Sequence, residues 1–224
     1  MYDLYVFDLD GTLIDSYKTI GNLFNKVLDD NNLEVLDLEL YKYLLGDGAK
    51  VLVEKGLKRS LEIKGEYVSE EEFNRILEKI YPEYMDLYNN FDDNITKPYD
   101  CIKSTLNILK GWKKKIAICT NKPQPATDII VDKIFGKDYF DMVVGMTDER
   151  VRKPDKSMLV SIMENLDIDK SRVAYFGDTS VDIRTGKNAE VVTVGVTWGF
   201  REKEELMEFG ADRIINRPMD ILRV

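Results

Sequence analysis

The chain has 224 residues, 44% of them hydrophobic and 33% charged, with a formal net charge of −9. That length supports one large domain or two small ones around a real core, and the acidic balance argues against binding nucleic acid through its phosphates. No apolar run approaches the roughly 20 residues of a membrane span, no signal peptide opens the chain, and two cysteines with no histidine point to a reducing cytoplasm and leave acid–base work to Asp, Glu, Lys and Tyr.

In chain order, Leu4-Tyr5-Val6-Phe7 reads as a short buried strand. It runs into Asp8-Leu9-Asp10-Gly11-Thr12. Side chains at i and i+2 of a strand share a face, so Asp8 and Asp10 can approach one site. Gly11 permits the turn that follows. Two adjacent carboxylates repel unless a cation or a shared proton relieves them, and an oxygen-lined Mg²⁺ site does so. A strand ending in a polar turn accounts for the same residues.

From Ser16 the period changes to that of a helix. Ile20, Leu23, Phe24, Val27 and Leu28 recur at three- and four-residue steps, with Asp15 or Ser16 as N-cap. Asn31-Asn32 ends this helix, and a short one is expected over Asp37–Leu44. Leu45-Gly46-Asp47-Gly48-Ala49 is a glycine-bearing loop opening a third. Ser69-Glu70-Glu71-Glu72 has the form of a capping box for a fourth, running to Asn89. Pro82 is expected to kink or split that helix. Asn89–Pro98 reads as a return linker. Strands are then predicted at 115–119, 141–144, 172–176, 191–194 and 213–215. Helices alternate with them at 101–109, 125–134, 155–166, 180–188 and 202–209. This alternation implies a parallel sheet covered on both faces, with ligands beyond the carboxyl ends of its strands.

Polar residues follow the strands. Thr120-Asn121-Lys122-Pro123 follows the strand at 115–119. Arg152-Lys153-Pro154 precedes a helix. Tyr175-Phe176 leads into Gly177-Asp178-Thr179-Ser180-Val181-Asp182, where Asp178 and Asp182 are one helical turn apart. Each alone also fits an ordinary turn or cap.

Together with Asp8-Leu9-Asp10-Gly11-Thr12, these stretches resemble, in order, the four motifs of the haloacid dehalogenase superfamily. The resemblance implies an α/β, Rossmann-like parallel-sheet core, residues 1–15 and 97–224, with an inserted all-helical cap domain, residues 16–96. It implies Asp8 as nucleophile, Asp10 as general acid/base that begins protonated, Thr120 as a phosphate-oxygen donor and Lys153 as a fixed positive charge. Backbone N–H groups near Leu9, Asp10 and Asn121 would bind the phosphoryl oxygens. Mg²⁺ would be held by Asp8, Asp178 and the Asp10 carbonyl, with Asp182 supporting the metal shell through water.

Leu45-Gly46-Asp47-Gly48-Ala49-Lys50-Val51-Leu52-Val53 resembles the cap loop of phosphoglycolate phosphatases, which makes Gly46 and Lys50 candidates for reading the substrate. Val196-Thr197-Trp198-Gly199-Phe200 resembles that group's final βα unit, although packing and turn formation account for it too. The expected activity is hydrolysis of a small phosphorylated metabolite, 2-phosphoglycolate first. Pyrophosphate, a nucleotide, or a β-phosphoglucomutase-type reaction are the alternatives. Oligomeric state is not legible.

Overall fold

Strand β1 (Leu4–Phe7) is buried on both faces, as expected of a central parallel strand. In this computed structural model every residue except 92, 93 and 149 is described; the first two belong to the Asn89–Pro98 linker. A two-residue strand β2 (Ile14–Asp15) follows. Helices α1 (Tyr17–Asp30), α2 (Tyr41–Leu44), α3 (Ala49–Lys64) and α4 (Glu70–Asn90) come next. Strand β3 (Lys97–Pro98) pairs antiparallel with β2. The chain then alternates through α5 (Ile102–Gly111), β4 (Lys115–Pro123), α6 (Gln124–Phe135), β5 (Met142–Met146), α7 (Ser157–Asn165), β6 (Val173–Gly177), α8 (Ser180–Asn188), β7 (Val192–Val196), α9 (Lys203–Glu208) and β8 (Arg213–Ile215). Two units result: Met1–Asp15 with Lys97–Val224, and Ser16–Thr96.

The first unit holds a six-stranded sheet in the order β5-β4-β1-β6-β7-β8, parallel throughout. All six predicted strands are present. Alternation sorts their side chains into two layers. Tyr5, Phe7, Ile116, Ile118, Ala174 and Phe176 pack on one side. Leu4, Val6, Ala117, Cys119, Val173 and Tyr175 pack on the other. Phe7 stacks on Phe176 at 4.9 Å between ring centroids. Strand β4 runs past the expected end at Cys119, because a register shift between Cys119 and Pro123 lets it stay paired with β5. With β1 central and the chain departing to either side of it, the carboxyl end of β1 is where an open α/β sheet forms its ligand crevice.

The second unit is helical, with its own core of Phe24, Leu57, Ile80 and Tyr84 among others. A Cβ on Gly56 would lie 2.4 Å from Phe24 Cε1, so α3 approaches α1 closely only because that residue is glycine. The segment expected to be one short helix over 37–44 is a 3-10 turn at Leu38–Leu40 that passes into α2. Ser69 does cap α4, accepting from Glu72 N at 3.2 Å. Ser16 occupies the cap position of α1 without a side-chain cap bond. Pro82 does not split α4, which is one helix of 21 residues. Ile80 and Tyr84, on either side of the proline, are fully buried. Their packing offsets the roughly 3 kcal/mol that an interior proline costs a helix. Among the described residues no helix is long and apolar enough to cross a membrane.

Candidate active site

Asp8 follows Phe7 directly, so alternation turns it to the layer that holds Val6, Cys119 and Tyr175. Lys153, from the loop before α7, enters the same layer and is 2% exposed. Its Nζ donates to Asp182 Oδ1 at 2.6 Å, Tyr175 Oη at 2.9 Å and the Cys119 carbonyl at 3.1 Å. These three bonds use all three ammonium protons. The Nζ also lies 2.8 Å from Asp8 Oδ1, yet that buried oxygen has no hydrogen-bond partner; the contact is an ion pair without bond alignment. Burial alone would lower the lysine's pKa, but Asp182 and Asp8 outweigh it and hold the ammonium charged. Burial pushes Asp8 up to about 6, with Lys153 opposing and Asp182 and Asp10 adding to the rise.

Asp178, at the exit of β6, is fully buried. Its Oδ1 accepts from Thr12 Oγ1 at 2.9 Å and its Oδ2 from the Phe200 N–H at 2.8 Å. Burial, then Asp182 and Asp8, raise its pKa well above the carboxylate range. Glycines wall it in. A Cβ at Gly11, whose φ is +87°, would fall 2.2 Å from Asp178 Oδ2, and one at Gly199 would fall 2.3 Å from Asp178 Cβ. Oxygens of Asp8, Asp178 and Asp182 lie within 4.8 Å of one another. Two of these carboxylates, Asp8 and Asp182, pair with the Lys153 ammonium, while Asp178 is held by neutral donors. The orphaned Asp8 oxygen and the all-oxygen donor set therefore fit a hard divalent cation, which would favour the ionised form of both raised groups.

Asp182 has another task. Its Oδ1 accepts from Lys153 and, at 3.0 Å, from Tyr175 Oη. Its Oδ2 accepts from the Thr179 N–H at 3.1 Å and Thr179 Oγ1 at 2.8 Å. The Tyr175 hydroxyl has one proton to give and also lies 3.0 Å from the Cys119 carbonyl; Asp182 thus positions Lys153 while its carboxylate stays grouped with those of Asp8 and Asp178.

Asp10 stands apart from this cluster, with Lys122 Nζ 3.3 Å from its Oδ1. Thr120 is buried, and its Oγ1 accepts from the Lys122 N–H at 3.3 Å. The Asn121 side chain accepts from the Lys153 N–H at 2.7 Å and donates to the Lys153 carbonyl at 3.1 Å. It thereby clips the two loops together. Leu9 is a core residue whose carbonyl accepts from Leu13 and Ile14 N–H groups. Gly46 and Lys50 belong to the helical unit, in the turn before α3 and in its first turn. Lys122, Tyr175 and Thr12 escaped the sequence reading as site residues. Lys122 and Thr12 lie inside motifs already singled out. Tyr175 looks like one more apolar strand residue.

Known proteins place the chain independently. The model of the haloacid dehalogenase-like hydrolase family matches residues 5–196. A phosphoglycolate phosphatase of Aquifex aeolicus is 31% identical over 98% of this chain and 94% of its own. That of Escherichia coli K12 is 28% identical over 96% and 89%. The crystal structure of a predicted phosphoglycolate phosphatase from Haemophilus somnus 129PT superposes with a TM-score of 0.85 at 25% identity, covering 99% of this chain and 97% of that one. The sheet order, the buried carboxylates at its centre and these matches agree, and the chain belongs to the haloacid dehalogenase-like hydrolases.

Proposed function

We propose that this hydrolase is a Mg²⁺-dependent phosphatase that cleaves 2-phosphoglycolate through an aspartyl-phosphate intermediate. The observation that carries the reading is the unbonded, buried Asp8 Oδ1 beside the Lys153 ammonium, at the crevice end of the central strand. A carboxylate held there is desolvated and aimed, as a nucleophile must be. Asp8 attacks phosphorus and the ester oxygen departs. Asp10 gives that oxygen its proton, then takes one from the water that cleaves the aspartyl phosphate. Lys153 offsets the charge of nucleophile and phosphate. Thr120 Oγ1 and the backbone N–H groups of Leu9, Asp10 and Asn121 are donors for the equatorial oxygens. Asp8, Asp178 and the Asp10 carbonyl would hold Mg²⁺, which would supply charge neutralisation at the phosphoryl group.

In this reading the helical unit, residues 16–96, is the inserted cap domain that the resemblance implies, and Gly46 and Lys50 are its candidates for reading the substrate. The substrate assignment is supported by the relatives' names and by the Gly46–Lys50 loop. Both cysteines are free thiols, which suits a cytoplasmic enzyme. The test is phosphate release with Mg²⁺ from 2-phosphoglycolate, pyrophosphate, nucleotide monophosphates and hexose phosphates. The expected result is a clear preference for 2-phosphoglycolate, lost in Asp8→Asn. Retained turnover in Asp8→Asn overturns the covalent scheme, and isomerised sugar phosphate without release makes the protein a mutase.

A further inference from the structure

Trp198-Gly199-Phe200, in the stretch that resembles a final βα unit and that packing and a turn also account for, lies at the exit of β7. In the fold it closes on two other segments. The Trp198 Nε1–H donates to the Thr12 carbonyl at 2.9 Å. The Phe200 N–H donates to Asp178 Oδ2 at 2.8 Å. Between them Gly199 lies against Asp178 and the Gly11 carbonyl, so closely that a Cβ would fall 2.3 Å from each. Thr12, held through its carbonyl by Trp198, donates its own hydroxyl to Asp178 Oδ1 at 2.9 Å. Asp178 is thus fixed at both oxygens by donors from two separate loops, and the indole ties those loops to each other.

We propose that Trp198, Phe200 and Thr12 form a positioning clamp that sets the Asp178 carboxylate for a divalent cation. The proposal rests on the cation site argued above and concerns affinity for the ion, not the identity of the substrate. The physical reason is preorganisation. A free carboxylate must lose rotamer freedom on binding a cation, and a carboxylate already oriented by donors on both oxygens has lost it beforehand. Each oxygen still keeps a lone pair for the ion. The clamp carries no net charge, so it orients Asp178 without competing for the cation's place.

Calorimetric titration of the full chain with MgCl₂, with no substrate present, reads this directly. Thr12→Val removes the hydroxyl while keeping side-chain size, and its Kd for Mg²⁺ is expected to rise about 10- to 100-fold. Thr12→Ser restores the donor and is expected to bind like the parent protein. Trp198→Phe keeps an aromatic ring but lacks the N–H, and its Kd is expected to rise about 3- to 10-fold, the worth of one hydrogen bond. Unfolding midpoints in EDTA identify any variant that has lost its fold, and the remaining variant then decides. Loss of binding in Asp178→Asn with parental Kd in Thr12→Val and Trp198→Phe overturns the clamp alone. Parental Kd in Asp178→Asn overturns the cation site and the clamp with it. Neither outcome depends on which phosphate ester is hydrolysed.

Discussion

Lys153 and Asp182 form an ion pair of 2.6 Å with both side chains 1% exposed. Water screens such a pair very little, and removing one partner strands the other in a medium that cannot solvate it. Asp182→Ala is therefore expected to destabilise the protein by about 3–5 kcal/mol. Urea unfolding at neutral pH measures this, and a loss below about 1 kcal/mol, the range of a surface pair, contradicts the assignment.

Tyr175 Oη accepts from Lys153 Nζ and lies 3.0 Å from both the Cys119 carbonyl and Asp182 Oδ1. Burial holds the phenol far above its ordinary pKa, so it stays neutral and acts by geometry. Tyr175→Phe leaves the ring in place and removes one of the three acceptors that aim the ammonium. The expected effect is a fall in kcat of about 3- to 10-fold with KM nearly unchanged, the loss of about one hydrogen bond's worth of orientation. Steady-state kinetics on the preferred substrate separates this from a packing defect, which would lower the unfolding midpoint and leave kcat per folded molecule intact.

Asp212 joins the last strands of the sheet. Its Oδ2 accepts from the Thr193 N–H and Thr193 Oγ1, each at 2.8 Å, and its Oδ1 pairs with Lys187. Burial works against ionisation, but the Lys187 and Thr193 bonds outweigh it and lower the pKa. A lowered carboxylate stabilises the fold above its unfolded pKa, and that contribution disappears as pH falls through the folded value. Asp212→Asn is expected to be less stable than the parent protein at pH 7 and at pH 5. The gap is expected to close as pH drops from about 4 towards 2. Paired urea titrations across this range give the result, and a gap that widens on acidification reverses the sign argued here.

Pro82 lies exposed within α4. It cannot donate a backbone bond, and its ring crowds the preceding turn. An exposed proline replaced by alanine leaves no buried cavity. Pro82→Ala is expected to stabilise the protein by about 1–3 kcal/mol, read as a higher urea midpoint with an unchanged slope. Destabilisation would mean that the proline shapes the helix in a way its neighbours need.

Much of this protein is determined locally and is legible in one dimension. An apolar run followed by a carboxylate and a glycine specifies a strand that ends at a polar turn. With Thr120-Asn121 after a strand, Lys153-Pro154 before a helix and Gly177-Asp178 after another strand, it carries the resemblance that makes Asp8, Thr120, Lys153 and Asp178 candidates. Helical period marks residues 16–96 as a block distinct from the alternating strands and helices that follow. What tertiary structure decided is which groups meet. Asp182 looks like a metal-shell residue one turn after Asp178, and only the fold sets it on Lys153, Tyr175 and Thr179 as well, 29 residues separating it from the lysine. Tyr175 has the pattern of core, and its hydroxyl has meaning only where the parallel register sets β6 against β1. Trp198 reaches Thr12 across 186 positions of sequence. The reason is that backbone periodicity is set by neighbours a few residues away. Burial, ion pairing and desolvation are set by whatever the sheet order places beside a side chain, and that order exists only once the chain has closed on itself.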